Sequence, residues 1–131
     1  MSHEATCSCG QLKLTFRGEI TRTSVCHCLA CQQRTGSVFG VQTRLPKDEV
    51  ELSGRSTVYV RVGDDGGRIS FHFCPECGAT VYYFIDKMPD SIVVPVGAFA
   101  DPHLPSPVFS VYEARKHAWV TLPDSVTEHW D

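Results

Sequence analysis

A chain of 131 residues, 42% hydrophobic and 21% charged, with a formal net charge of −3, has the make-up of a folding globular protein and excludes a disordered one. Its length suits one domain, residues 1–131, able to bury about two-thirds of the surface its unfolded form exposes. The absence of a basic run or lysine–aromatic stripe argues against nucleic acid, no stretch nears the roughly 18 apolar residues of a membrane span, and Met1 to Thr6 lacks a secretory signal, so a cytoplasmic location is expected.

Taken in order, the chain alternates short apolar runs with turn residues. Between Ala5 and Arg17, Leu12, Leu14 and Phe16 alternate with polar residues, the period of a half-buried strand bracketed by Gly10 and Gly18. Ile20 to Val25 begins a second strand that leads into Cys26. The residues after Cys28 favour helix as far as Arg34, but the piece supports only one or two turns before Gly36. Ser37 to Leu45, Val50 to Leu52, Thr57 to Val62 and Arg68 to Phe73 read as strands, separated by Pro46, Ser53-Gly54 and Asp64-Asp65-Gly66-Gly67. Ala79 to Ile85 and Ser91 to Val96 are β-branched and aromatic. Phe99 to Pro107 reads as a loop, Val108 to Tyr112 as a strand, and Trp119 to Leu122 as an added edge. The fold class is all-β: several small sheets with metal staples in place of long helices.

The seven cysteines fall into three clusters: Cys7-Ser8-Cys9, Cys26-His27-Cys28-Leu29-Ala30-Cys31 and Cys74-Pro75-Glu76-Cys77. A disulfide uses two thiols, whereas a metal can take three or four as thiolates at about 2.3 Å. In a reducing compartment, C-x-C and C-x-x-C units point to metal ligation, with a secreted disulfide scaffold as the rival. Cys74 to Gly78 has the form of a zinc knuckle. Cys7 and Cys9 can complete a closed four-thiolate site, because alternate strand residues share a face. Such a site closes a loop of 64 intervening residues between Cys9 and Cys74, and structural zinc can contribute about 10–16 kcal/mol. Cys26, Cys28 and Cys31 would then hold a second zinc with one position open to an outside ligand, or filled by His27 or His72. Spacing leaves open the partition of Cys7, Cys9, Cys26 and Cys28 against Cys31, Cys74 and Cys77. Seven thiolates add seven negative charges and two zincs return four, which takes the formal charge from −3 to −6.

With these motifs in hand, the chain resembles the glutathione-dependent formaldehyde-activating enzyme family, which includes centromere protein V. The resemblance rests on C-S-C-G at Cys7 to Gly10, C-H-C-L-A-C-Q-Q-R-T-G-S at Cys26 to Ser37 and F-C-P-E-C-G at Phe73 to Gly78. It continues through P-V-G-A-F-A-D-P at Pro95 to Pro102 and A-W-V at Ala118 to Val120. It implies coiled antiparallel β-sheets like those of a Rab-binding zinc protein. It also implies a structural zinc on Cys7, Cys9, Cys74 and Cys77 and a second zinc on Cys26, Cys28 and Cys31. The thiol it implies is glutathione and the aldehyde formaldehyde, joined or released by a carbon–sulfur lyase.

Three thiolates leave a divalent zinc with net charge −1, which acidifies a bound water poorly and disfavours a hydrolase. An added thiol is the better fourth partner, since its thiolate is the nucleophile that adds to an aldehyde. Arg34, Arg115 and Lys116 are candidate clamps for substrate carboxylates, against the alternative of solvated surface charges. His27 is an acid–base candidate or a structural polar residue. Trp119, Tyr82, Tyr83 and Phe84 line a pocket or belong to the core. Two rivals remain: a thiol carrier without catalysis, and a structural zinc module with a protein partner.

Overall fold

The computed structural model describes residues 2–131. The chain forms two compact units, one made of the chain up to Glu19 with Arg44–Asp101, the other of Ile20–Thr43 with Pro102–Asp131. Short strands dominate both, as the alternation of apolar residues requires.

In the first unit, β1 (His3–Thr6), β2 (Lys13–Phe16) and β5 (Val50–Ser53) form an antiparallel three-stranded sheet with β2 at its centre. Ala5, Leu14 and Phe16 are buried along it, and Leu12 lies buried just before β2. The half-buried strand expected around Leu12 to Phe16 is β2, and β1 was not foreseen. Its sequence His-Glu-Ala-Thr offers one small apolar residue, and only pairing with β2 makes it a strand.

The same unit holds an antiparallel meander of β6 (Thr57–Val62), β7 (Arg68–Phe73), β8 (Thr80–Ile85) and β9 (Ser91–Pro95). Phe71, Tyr83 and Val93 meet on one face, with Ile69 and Ile85 packed against them. A 3₁₀ turn at Val96–Phe99 lies between β9 and the expected loop, which it meets only at Phe99.

In the second unit, β3 (Thr23–Cys26) pairs antiparallel with the first part of β4 (Gly40–Pro46) and parallel with β10 (Phe109–Val111). β10 also pairs parallel with β11 (Glu128–His129). Parallel neighbours need a long return path, and the chain between Cys26 and Phe109 is long enough to supply it. The strand expected from Ser37 begins at Gly40. Trp119–Leu122 is not a strand; the sheet margin is taken by β11 instead, because Thr127 N–H bonds Val108 O (3.1 Å) and Trp130 N–H bonds Ser110 O (2.9 Å). The helix α1 (Leu29–Thr35) makes about two turns, within the one or two expected, and stops at Gly36, whose φ of +74° favours glycine.

Candidate metal centres

Two loops of similar build bring four thiols together in the first unit. After β1, Gly10 N–H bonds Cys7 O (3.0 Å) and Cys7 N–H bonds Leu12 O (3.0 Å). After β7, Gly78 N–H bonds Cys74 O (2.8 Å) and Cys74 N–H bonds Ala79 O (3.0 Å). Gly10 and Gly78 both take positive φ, +86° and +82°, which lets each loop turn back beneath its cysteines. The sulfurs of Cys7, Cys9, Cys74 and Cys77 all lie within 4.8 Å of one another. Cys7–Cys9 and Cys9–Cys74 are 3.6 and 3.7 Å apart, far beyond a disulfide bond. A tetrahedron of sulfurs at 2.3 Å from zinc has an edge of about 3.8 Å, so the donor set fits a tetrahedral thiophilic cation.

N–H groups aim at these sulfurs. Leu12 N–H donates to Cys7 (3.3 Å), and Gln11 Nε2 (3.0 Å) and Glu76 N–H (3.4 Å) donate to Cys74. Burial alone would raise Cys74, but the bonds from Gln11 and from the Cys77 and Glu76 N–H groups hold it down at about 6. Bonds from the Ala79 and Cys9 N–H groups lower Cys77. At Cys9 a Gln11 backbone bond lowers the thiol, yet sharing with Cys7 and Cys74 prevails and leaves it at about 11. Gln11 also clasps Arg55 through both backbone groups, at 2.8 and 2.9 Å.

The second unit gathers the other three thiols. Cys26 ends β3, Cys28 caps α1 by accepting from Cys31 N–H (3.3 Å), and Cys31 lies in the helix. Their sulfurs lie within 4.8 Å of one another, Cys26 and Cys31 buried and Cys28 half-buried. Gly40 of β4 fits closely here, since a Cβ added to it would stand 3.5 Å from both Cys31 Cβ and an Arg34 guanidinium nitrogen. Sharing with Cys28 and Cys31, together with burial, drives the Cys26 thiol strongly up. At Cys31 the Cys26 contact lowers the thiol, but Cys28 and burial raise it further than Arg34 offsets. Such a buried cluster ionises readily only with a cation at its centre. Among the described residues no imidazole or carboxylate joins these three sulfurs, and none joins the first four.

His27 is fully buried, its Nε2 2.9 Å from Ser110 Oγ on β10. Burial lowers it; the nearby Glu113 carboxylate raises it and Lys116 lowers it again, and the net shift is downward from the ordinary imidazole value. Glu113 in turn bonds His129 Nδ1 (2.6 Å). Gln32, one residue after Cys31, donates to His27 O (2.9 Å) and Arg115 O (3.3 Å), and its Oε1 meets His117 Nε2 (2.9 Å). Gln32 thereby ties α1 to the segment carrying Arg115 and Lys116.

Arg34 is half-buried in the last turn of α1, and Arg115 is exposed in the 3₁₀ turn Glu113–Arg115. Lys116 directs its Nζ to Val120 O (3.3 Å). His72 lies in the first unit with Nδ1 on Ser56 Oγ (2.8 Å). Tyr82 and Tyr83 are buried in β8 beside the half-buried Phe84, whereas Trp119 is 71% exposed. Gln11, Gln32, Ser110 and Glu113 were not singled out from sequence, because no spacing or motif marks a residue that acts by hydrogen-bonding another.

A family model described as glutathione-dependent formaldehyde-activating enzyme matches residues 2–115. The chain belongs to this family. Relatives carrying the family's name include proteins of Fusarium vanettenii, 28% identical over 81 residues, and Colletotrichum graminicola, 26% identical over 81 residues. Each match covers 62% of this chain and 43% or 42% of the relative, so the chain spans less than half of the curated relatives it matches. A crystal structure of a Rhodobacter sphaeroides protein shares the fold, with a TM-score of 0.55 at 17% identity over 98% of this chain and 99% of that one. Within the glutathione-dependent formaldehyde-activating family, then, this member carries two thiol clusters that can each hold a metal ion.

Proposed function

We propose that the chain binds two zincs, a structural one on Cys7, Cys9, Cys74 and Cys77 and a second on Cys26, Cys28 and Cys31. At the second it takes up a thiol such as glutathione and adds it to, or releases it from, a small aldehyde such as formaldehyde. The reaction is that of a carbon–sulfur lyase, carried by a single domain in the reducing cytoplasm. The observation that supports it is a three-sulfur cluster which no fourth protein ligand joins among the described residues. Names of relatives built on glutathione and formaldehyde supply the substrate classes.

When bound, zinc supplies a means of keeping the incoming thiol as its thiolate at neutral pH. The chain's residues do the rest. Cys28, the half-buried member of the three, marks the side from which a small thiol approaches. Arg34 stands beside Cys31, and Arg115 and Lys116 follow on the segment held by Gln32; these cations receive the carboxylates of the thiol compound. His27 is fully buried and bonded to Ser110, so it orients the Cys26–Cys28 loop. In the addition the sulfur–carbon bond forms, the carbonyl π pair moves to oxygen, and that oxygen takes up the proton the thiol gave up. The reverse reaction breaks the same bond, with no change in oxidation state.

Metal analysis of the reduced protein is expected to give two zincs, with glutathione replacing a light-atom neighbour by sulfur in X-ray absorption at the zinc edge. Addition to formaldehyde should be saturable and faster than in solution, and Cys28→Ser should abolish it with the fold retained, because a serine oxygen can still cap α1. An unchanged coordination shell on adding thiol would sink the mechanism. Stoichiometric thiol binding without acceleration would leave a carrier in its place.

A further inference from the structure

The strand β6 lies at a margin of its sheet and pairs with β7 alone among the described strands. Its sequence, Thr-Val-Tyr-Val-Arg-Val, holds no proline and a single charge. Val58, Tyr59, Val60 and Val62 are 47%, 61%, 44% and 60% exposed. Marginal strands are commonly blunted by lysine, proline or a bulge, because their unpaired N–H and C=O groups template another strand. β6 carries no lysine, proline or bulge, and its one charge, Arg61, lies over Phe71.

The ladder itself shows which backbone groups point outward. Gly63 N–H bonds Gly67 O (2.7 Å), one step past the β6–β7 pairs, and Asp86 N–H bonds Arg68 O (3.0 Å), one step past the β7–β8 pairs. Both bonds set the same phase. Ile69, Phe71 and Phe73 exchange bonds with Arg61, Tyr59 and Thr57, while Arg68 and Ser70 turn towards β8. Val58, Val60 and Val62 therefore aim their N–H and C=O groups away from the sheet.

We propose that this margin docks antiparallel onto β6 of a second copy of the chain, with the two-fold axis at Val60. This register sets outward groups against outward groups. Val60 faces the second copy's Val60, and Val58 faces its Val62. On the opposite face Tyr59 lies across from the second copy's Arg61, in the closer, non-hydrogen-bonded type of pair where a guanidinium and a ring attract. Arg61 already stacks 5.3 Å over Phe71, and its buried Nε has no hydrogen-bond partner among the described residues.

Charge selects the same direction. Asp64 follows the strand beside an Asp65 already paired with Lys87, and Arg55 before it is paired with Glu76, so antiparallel docking holds the two copies' Asp64 carboxylates apart, whereas parallel docking sets them together. The exposed side chains offer on the order of 400 Å² per copy, which belongs to the small, reversible class of interface.

Sedimentation of the zinc-loaded chain from about 1 μM to about 1 mM tests the pairing across the range of such interfaces. The mass should rise from 14.5 kDa towards twice that value. Amide exchange at Val58, Val60 and Val62 should slow about tenfold or more at the upper concentration, while Tyr59 and Arg61 stay unchanged. Val60→Lys sets two ammonium groups face to face and should hold the mass at 14.5 kDa. A mass of 14.5 kDa throughout would overturn the proposal. So would a dimer that survives Val60→Lys, or one in which the three valine amides exchange at an unaltered rate. The amide measurement uses the unaltered protein, so it decides even where the variant fails to fold.

Discussion

Ser110 illustrates how a residue without chemistry of its own holds a site together. Buried on β10, it bonds the ring of His27 and supports the Glu113 carboxylate, although His27 sits between two of the clustered cysteines and Ser110 lies 83 positions away. Ser110→Ala leaves the buried imidazole unsatisfied and is expected to cost about 1–3 kcal/mol in urea denaturation of the metal-loaded protein. Glu113 carries a pH signature. Burial raises its carboxyl, but bonds from Ser110 and His129 outweigh that and hold it below its ordinary value of 4.5. Its contribution is therefore fully present above that value and is lost as pH falls through the lower, folded one. Glu113→Gln should flatten the fall of stability over that acidic window relative to the unaltered protein. An identical slope would mean that the carboxylate contributes nothing there.

Among the elements, α1 and the turn after β5 show how metal loops and backbone geometry depend on each other. A helix of seven residues is too short to persist alone; α1 is closed at one end by Cys28 and at the other by Gly36. The β5 turn passes over Gln11, the residue that also donates to Cys74. Gly54 there takes φ +93°, and an added Cβ would collide with the Gln11 carbonyl. Gly54→Ala should destabilise the protein by more than about 1 kcal/mol and loosen the clasp on Cys74. Faster metal loss from the four-thiol centre in a competition assay with a chelator is the corresponding readout. Ser53-Gly54 is legible in the sequence as a turn, but its approach to Gln11 is not, because a turn signal says where the chain bends and not what it passes.

For the molecule as a whole, the two thiol centres stand in different relations to folding. The four-thiol centre joins segments more than sixty positions apart, while the three thiols of the other lie within six consecutive residues. Metal bound at the first therefore stabilises long-range structure, and metal at the second mainly orders a local turn. Cys74→Ser is expected to lose the cooperative unfolding transition in circular dichroism, whereas Cys28→Ser should retain it and lose one metal per chain. Equal loss of structure in both variants would show that the three-thiol centre also carries the fold.

The sequence by itself determined what local spacing encodes: the cysteine loops, the short helix ended at Gly36, and the strands whose apolar residues alternate. Those features follow from interactions within a few residues. Tertiary structure decided that His-Glu-Ala-Thr becomes β1, that β10 returns parallel to β3, and that Glu128–His129 rather than Trp119–Leu122 takes the sheet margin. It also brought Gln11 to Cys74 and Ser110 to His27. Each of these depends on where distant backbone groups find partners, and unpaired buried N–H and C=O groups are costly enough to override weak local preference.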